Sequence, residues 1–202
     1  MPDAEVPAPV LEPKQVLKRY LQTLREALLW KLAGLGEREL RWPLTPTGTN
    51  LLGLVKHVGS MEFGYFGLVF GRPAAEPMPW LGPGSEDNAD MWATADQSRE
   101  WVVDFYRRAW AHSDATIDQL GLDARGQVPW WPPERREVTL HQILVHVIAE
   151  TARHAGQADI VRELSDGQAG LRPDNSNLPD HDQRWWTAYV DRLKQVAEAT
   201  AG

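Results

Sequence analysis

Between Thr139 and Gly167 the chain carries apolar residues at steps of three and four with no proline, as only a long amphipathic helix does. Leu140, Ile143, Val147, Ala158 and Val161 mark its inner stripe, and Glu150 and His154 occupy that same stripe. Three more stretches share the periodicity. Leu17, Leu21, Leu24, Leu28 and Lys31/Leu32 predict a helix over residues 13–35. Leu51, Leu54, Val58, Met61, Tyr65 and Leu68 predict one from Asn50 to Phe70, with Thr49 or Asn50 as its cap. Val102, Phe105, Ala109, Ile117 and Leu120 predict one over 96–120. Trp185, Tyr189, Leu193 and Val196 add a short fifth helix after a polar linker.

No alternating strand pattern intervenes, so the reading is all-α: a four-helix bundle with a short C-terminal helix. One domain is expected over 1–202, with residues 13–167 as bundle core and 168–202 as an appendage. Gly53, Gly59, Gly64 and Gly67 inside the second helix imply close approach by a neighbour, since each otherwise costs up to ~1 kcal/mol relative to alanine. Two irregular stretches stand out. Residues 72–95 are rich in proline, glycine and acids, and residues 126–138 contain Pro129-Trp130-Trp131-Pro132-Pro133.

Composition narrows the function. A net charge of −7, with Arg135-Arg136 the one basic cluster, argues against nucleic-acid binding. No apolar run reaches the ~20 residues of a membrane span, and Met1 to Pro13 lacks the basic and apolar regions of a signal peptide, so a cytoplasmic protein is expected. The absence of cysteine excludes disulfides, zinc ribbons and a cysteine nucleophile.

Glu150 and His154 lie one turn apart on a stripe that should be apolar. Burying an unpaired carboxylate costs several kcal/mol, so it needs a partner. A Glu–His hydrogen bond or a shared metal ion would each serve. His57, between Leu54 and Met61, brings a second imidazole from another helix. Two histidines and a glutamate form a known catalytic zinc set with its fourth position open, and similar sets suit iron. His146 precedes Glu150 by one turn, but each four-residue step rotates by about 40°, which turns it off the stripe and leaves it a supporting or structural role. Arg153 and Gln157 flank the ligands; Arg153 also reads as a surface residue. His112 lies near the inner face of its helix, and His141 and His181 read as exposed.

LLGLVKHVGSME and TLHQILVHVIAETARHAGQADIVREL together resemble the DinB/YfiT-like superfamily, with closer similarity to its mini-circle branch, over about Leu17 to Gly167. The resemblance implies an up-down-down-up bundle. It also implies a zinc or nickel site formed by a histidine of the second helix and an HxxxH pair of the last. His57 matches the first and His154 the second member of the pair, and Glu150 replaces the other histidine. Gly156-Gln157 matches the pair that usually follows. Characterised relatives are thiol-dependent S-transferases and an isomerase that use mycothiol, bacillithiol or a similar thiol.

Three functions follow. The first is a metal-dependent transferase joining a small thiol to a small-molecule electrophile, its pocket walled by Trp80, Trp92, Trp130 and Trp131, unless these only anchor the loops. The second is a non-catalytic metal-binding or stress-associated protein, with His146 or Asp159 completing a closed shell. The third is a metal-dependent hydrolase with Glu62 as general base. A homodimer is a family-level expectation, through Trp185, Trp186 and Tyr189, which could equally cap the bundle.

Overall fold

The computed structural model describes residues 11–200, so most of the N-terminal segment read as lacking a signal peptide lies outside the described residues. Its contacts divide into two compact units, the chain up to Ala169 and the chain from Gly170.

In the first unit the long helices are α1 (Pro13–Trp30), α3 (Leu51–Glu62), α4 (Arg99–Gln119) and α5 (Leu140–Asp166). A short α2 (Glu37–Arg41) and a two-stranded hairpin, β1 (Arg125–Gln127) with β2 (Glu137–Thr139), complete it. Side-chain oxygens cap three helix starts: Asn50 accepts from Gly53 N, Ser98 from Trp101 N and Thr139 from Gln142 N. Gly167, at φ +76°, ends α5 in the left-handed conformation that favours glycine.

Differences from the expected elements have local causes. α1 stops at Trp30 because residues 31–34 turn through Gly34, at φ +80°. The second predicted helix does not run regularly to Phe70. After Glu62 it widens into a π-turn (Phe63–Gly67) and tightens into a 3₁₀ turn (Leu68–Phe70). The extra residue in the π-turn rotates the stripe, so Leu68, expected inward, is 51% exposed and Val69 is buried in its place. α2 and the hairpin strands are each too short to show a period, which is why neither was visible in sequence.

Leu28, Leu40, Leu54, Val58, Phe105 and Trp80 belong to one core cluster; Leu21, Phe66, Ile117, Ile143 and Val147 belong to another. On α1, Arg25 lies one turn from both Leu21 and Leu28. Its fully buried guanidinium forms a two-pronged pair with Glu62 (Nε–Oε1 2.9 Å, Nη2–Oε2 2.5 Å), and Nη1 reaches Asp114 at 2.9 Å. Burial pushes the Glu62 carboxyl up and Arg25 opposes it. Glu62 is thus spent on Arg25 and is not available as a general base.

Two glycines of α3 admit close neighbours. A Cβ on Gly59 would meet the Phe105 ring at 2.8 Å, and one on Gly53 would stand 1.7 Å from the Met91 carbonyl oxygen. At Gly53 the neighbour is the long loop before α4, not a helix.

The second unit contains α6 (Gln183–Ala199), capped by Asp182 and carrying Trp185 stacked between His181 and Tyr189. None of the described helices is long and apolar enough to cross a membrane.

Candidate functional site

α3 and α5 bring His57 and His154 together, their rings meeting edge to face with centroids 4.7 Å apart. His154 is buried and His57 partly so. Glu150, one turn earlier on α5, has Oε2 3.9 Å from His154 Nε2 and a side chain 37% exposed. It therefore stands at the rim, where water meets much of the need for a partner that a buried carboxylate would have.

Each histidine has one ring nitrogen anchored. His57 Nδ1 lies 2.6 Å from Asp90 Oδ2, and His154 Nδ1 lies 2.9 Å from Gln157 Oε1. Both partners are acceptors, so each Nδ1 carries the proton while the imidazole is neutral, and each Nε2 keeps its lone pair. Burial is the main influence lowering the His154 pKa, which favours that neutral form. Hydrogen bonding from His57 holds the Asp90 carboxyl below its usual range against the opposing effect of burial.

Asp90 went unrecognised in the sequence because it lies in a loop with several interchangeable acids. Its position comes from α3. Asn50 Nδ2 donates to Met91 O at 3.2 Å. Lys56 Nζ donates to Ala89 O at 2.9 Å and to Trp92 O at 2.8 Å, while lying 4.3 Å above the Trp80 ring. Gly53 lets the Met91 carbonyl approach between these contacts. Burial lowers the Lys56 pKa to about 8, and Asp90 and Asp96 pull it back up. The N-cap and first two turns of α3 thus pin residues 89–92, and Asp90 meets His57.

A neutral imidazole with Nδ1–H fixed by a carboxylate or amide oxygen and Nε2 open is the usual state of a metal-ligating histidine. Two such histidines beside a carboxylate match a divalent cation in donor chemistry. The set is not closed as it stands: among the described residues no three His, Asp or Glu side chains are drawn together tightly enough to hold an ion. Two ligands on one tetrahedral zinc are about 3.3 Å apart. Glu150 would move inward by roughly half an ångström relative to His154 to reach that spacing, and its exposure leaves it room.

The other residues singled out in the sequence fall elsewhere. Gln157 supports His154 directly, and Arg153 is exposed. His146 turns to Tyr65, its Nε2 2.9 Å from the Tyr65 hydroxyl, and Asp159 pairs with Lys31 at 2.7 Å. His112 packs 5.5 Å from Phe63, while His141 and His181 are exposed. Trp80 is buried against Trp101 and Phe105, so it anchors its loop; Trp92 and Trp130 keep large exposed areas. A separate pocket of about 400 Å³ is lined by Glu37, Arg38, Arg41, Ala95 and Ser98 and includes none of the site residues.

The mycothiol-S-transferase family model matches residues 16–167. Among solved structures, the crystal structure of a conserved protein from Enterococcus faecalis superposes with a TM-score of 0.58 at 19% identity, covering 79% of this chain and 100% of that one. That likeness speaks to the fold alone. No curated protein matches the sequence.

Proposed function

We propose, because the chain belongs to the mycothiol-S-transferase family, that it joins mycothiol or a related small thiol to an electrophile at a centre formed by His57, Glu150 and His154. The observation that carries this reading is the pair of histidines from α3 and α5, each with Nδ1 anchored and Nε2 open. His57 and His154 would hold one divalent cation through Nε2, with Glu150 as third ligand; zinc suits this donor set, and nickel or iron are the alternatives. Bound there, the cation supplies positive charge that favours thiolate over thiol. The chain's own Asp90 and Gln157 then hold both imidazoles in orientation, and burial favours the neutral form of His154. In the transfer, the thiol proton leaves to solvent, a sulfur–carbon bond forms, and the leaving group departs with its bonding electrons.

The pairings support the up-down-down-up order. Arg25 and Lys18 of α1 reach Asp114 and Asp118 of α4, which runs against α1. Gly59 and Gly67 lie near Phe105 and His112 of α4, so α3 and α4 run in the same direction. His57 meets His154, and Tyr65 meets His146, so α5 returns against α3. A cysteine-free enzyme that consumes a thiol suits the reducing cytoplasm.

Metal analysis of the purified protein, with Glu150→Ala and His154→Ala, tests the centre: stoichiometric metal lost in both variants supports it, and metal retained in either refutes it. Thiol consumption with mycothiol and 1-chloro-2,4-dinitrobenzene tests the reaction. Bound metal without thiol consumption would leave a non-catalytic metal-binding protein.

A further inference from the structure

Two helical turns from the histidine pair, the same two helices build a second cluster that the thiol reading leaves unused. Tyr65 and His146 are each eight residues from His57 and His154, about 12 Å along their helices. The Tyr65 ring packs against Trp130, Trp131 and His146, with centroids 5.2, 6.1 and 4.8 Å away. Met61, Gly64 and Glu150, all partly exposed, lie between the two clusters on α3 and α5.

Counting hydrogens fixes the state of this cluster. The Tyr65 hydroxyl has one proton and two lone pairs. Trp130 Nε1 (3.4 Å) and Trp131 Nε1 (3.3 Å) can only donate, so they occupy both lone pairs. The hydroxyl proton must then go to His146 Nε2, 2.9 Å away. His146 is accordingly a neutral imidazole with its proton on Nδ1, and that N–H has no partner among the described residues. Burial lowers the His146 pKa, consistent with the neutral form. Trp130, 50% exposed, keeps much of its indole surface open. The result is an apolar aromatic wall with one free hydrogen-bond donor, its four side chains uncharged and Glu150 the carboxylate acting on His146 from one turn away.

We propose that Tyr65, Trp130, Trp131 and His146 form the subsite for the electrophile, taking its flat apolar body against Trp130 and an acceptor atom on His146 Nδ1–H. A polar thiol would need several hydrogen-bonding partners, which this wall does not offer; a planar electrophile needs few. The assignment of the occupant as electrophile rests on the transferase reading, whereas binding of a planar acceptor does not.

The test therefore reads binding first. With the full-length, metal-loaded protein, calorimetric titration of unreactive 2,4-dinitrotoluene should show one saturable site. Trp130→Ala should weaken it about tenfold or more, the loss of roughly 1.4 kcal/mol. His146→Phe keeps a ring and loses the donor, so it should weaken 2,4-dinitrotoluene but leave naphthalene binding unchanged. His154→Ala should leave both intact. No saturable binding, or equal binding in Trp130→Ala, overturns the subsite. In turnover with mycothiol and 1-chloro-2,4-dinitrobenzene, Trp130→Ala should raise KM for the electrophile alone; a raised KM for mycothiol instead overturns the assignment. Intact binding in a protein that consumes no thiol would fault the transferase reading and leave the planar-acceptor site standing.

Discussion

Glu62 and His57 lie five residues apart on one helix, and their surroundings answer the same problem in opposite ways. Around Glu62 the charges are closed off: Arg25 takes both carboxylate oxygens with no exposed side-chain surface on either residue, and Asp114 takes the remaining prong. Around His57 and His154 the arrangement stops halfway, with Asp90 and Gln157 fixing one nitrogen of each ring and the other left open beside a half-exposed carboxylate. A buried polar group whose every atom is paired holds a fold together. One that is oriented yet left incomplete is prepared for something that arrives later.

Breaking the closed centre should cost most. Glu62→Gln leaves Arg25 buried with its strongest partner weakened, and a loss of about 3–5 kcal/mol is expected, lowering Tm by on the order of 10 °C in thermal denaturation. A variant that melts like the parent would show that the closed pair does not hold the fold together. The open centre should behave in reverse. His57→Ala should remove the bound metal, read by elemental analysis, while the metal-free protein melts within a few degrees of the parent.

Asp90→Asn tests how far the open centre depends on the charge behind His57. An amide can still accept from His57 Nδ1 but carries no charge, so metal affinity should fall roughly 10–100-fold by competition titration, with little change in the stability of the metal-free protein. An unchanged affinity would reduce Asp90 to a loop anchor. The smallest effect is on pH. Burial holds the His146 and His154 pKa values below 6.5 in the folded state, so the unfolded chain takes up protons first as the medium acidifies. Their contribution to stability is complete above pH 6.5 and is lost progressively as pH falls toward the lower folded values. Urea denaturation of the metal-free protein across that range should show the decline, and His146→Phe should make it shallower.

The four long helices were legible because each repeats its apolar residues often enough for the period to show. The ligand helix was legible for the same reason: His154 stands where a stripe of aliphatic residues predicts another, and it is buried there. Glu150 was located by the same stripe, but its degree of burial was not, since a helix at the edge of a groove turns one position per turn toward water. Asp90 was out of reach, and Tyr65 was legible as an inward residue but not in its contacts with Trp130, Trp131 and His146. Asp90 acts through a loop whose path is set by Asn50, Gly53 and Lys56, and Tyr65 lies inside a π-turn that shifts the register on which its partner could have been counted. Both depend on tertiary contact rather than on local pattern.

The connection before α4 is held unevenly, and that has a consequence for how the protein meets a protease. Residues 89–92 are tied to α3, whereas Pro83 through Asn88 are exposed. Cleavage in limited proteolysis should concentrate in that exposed stretch. The two fragments should stay associated, because Arg25 and Glu62 on one side of the cut remain paired through Asp114 on the other. The nicked protein should also keep His57 and Asp90 in register across the break, so a cut through the connection before α4 would leave the candidate centre assembled.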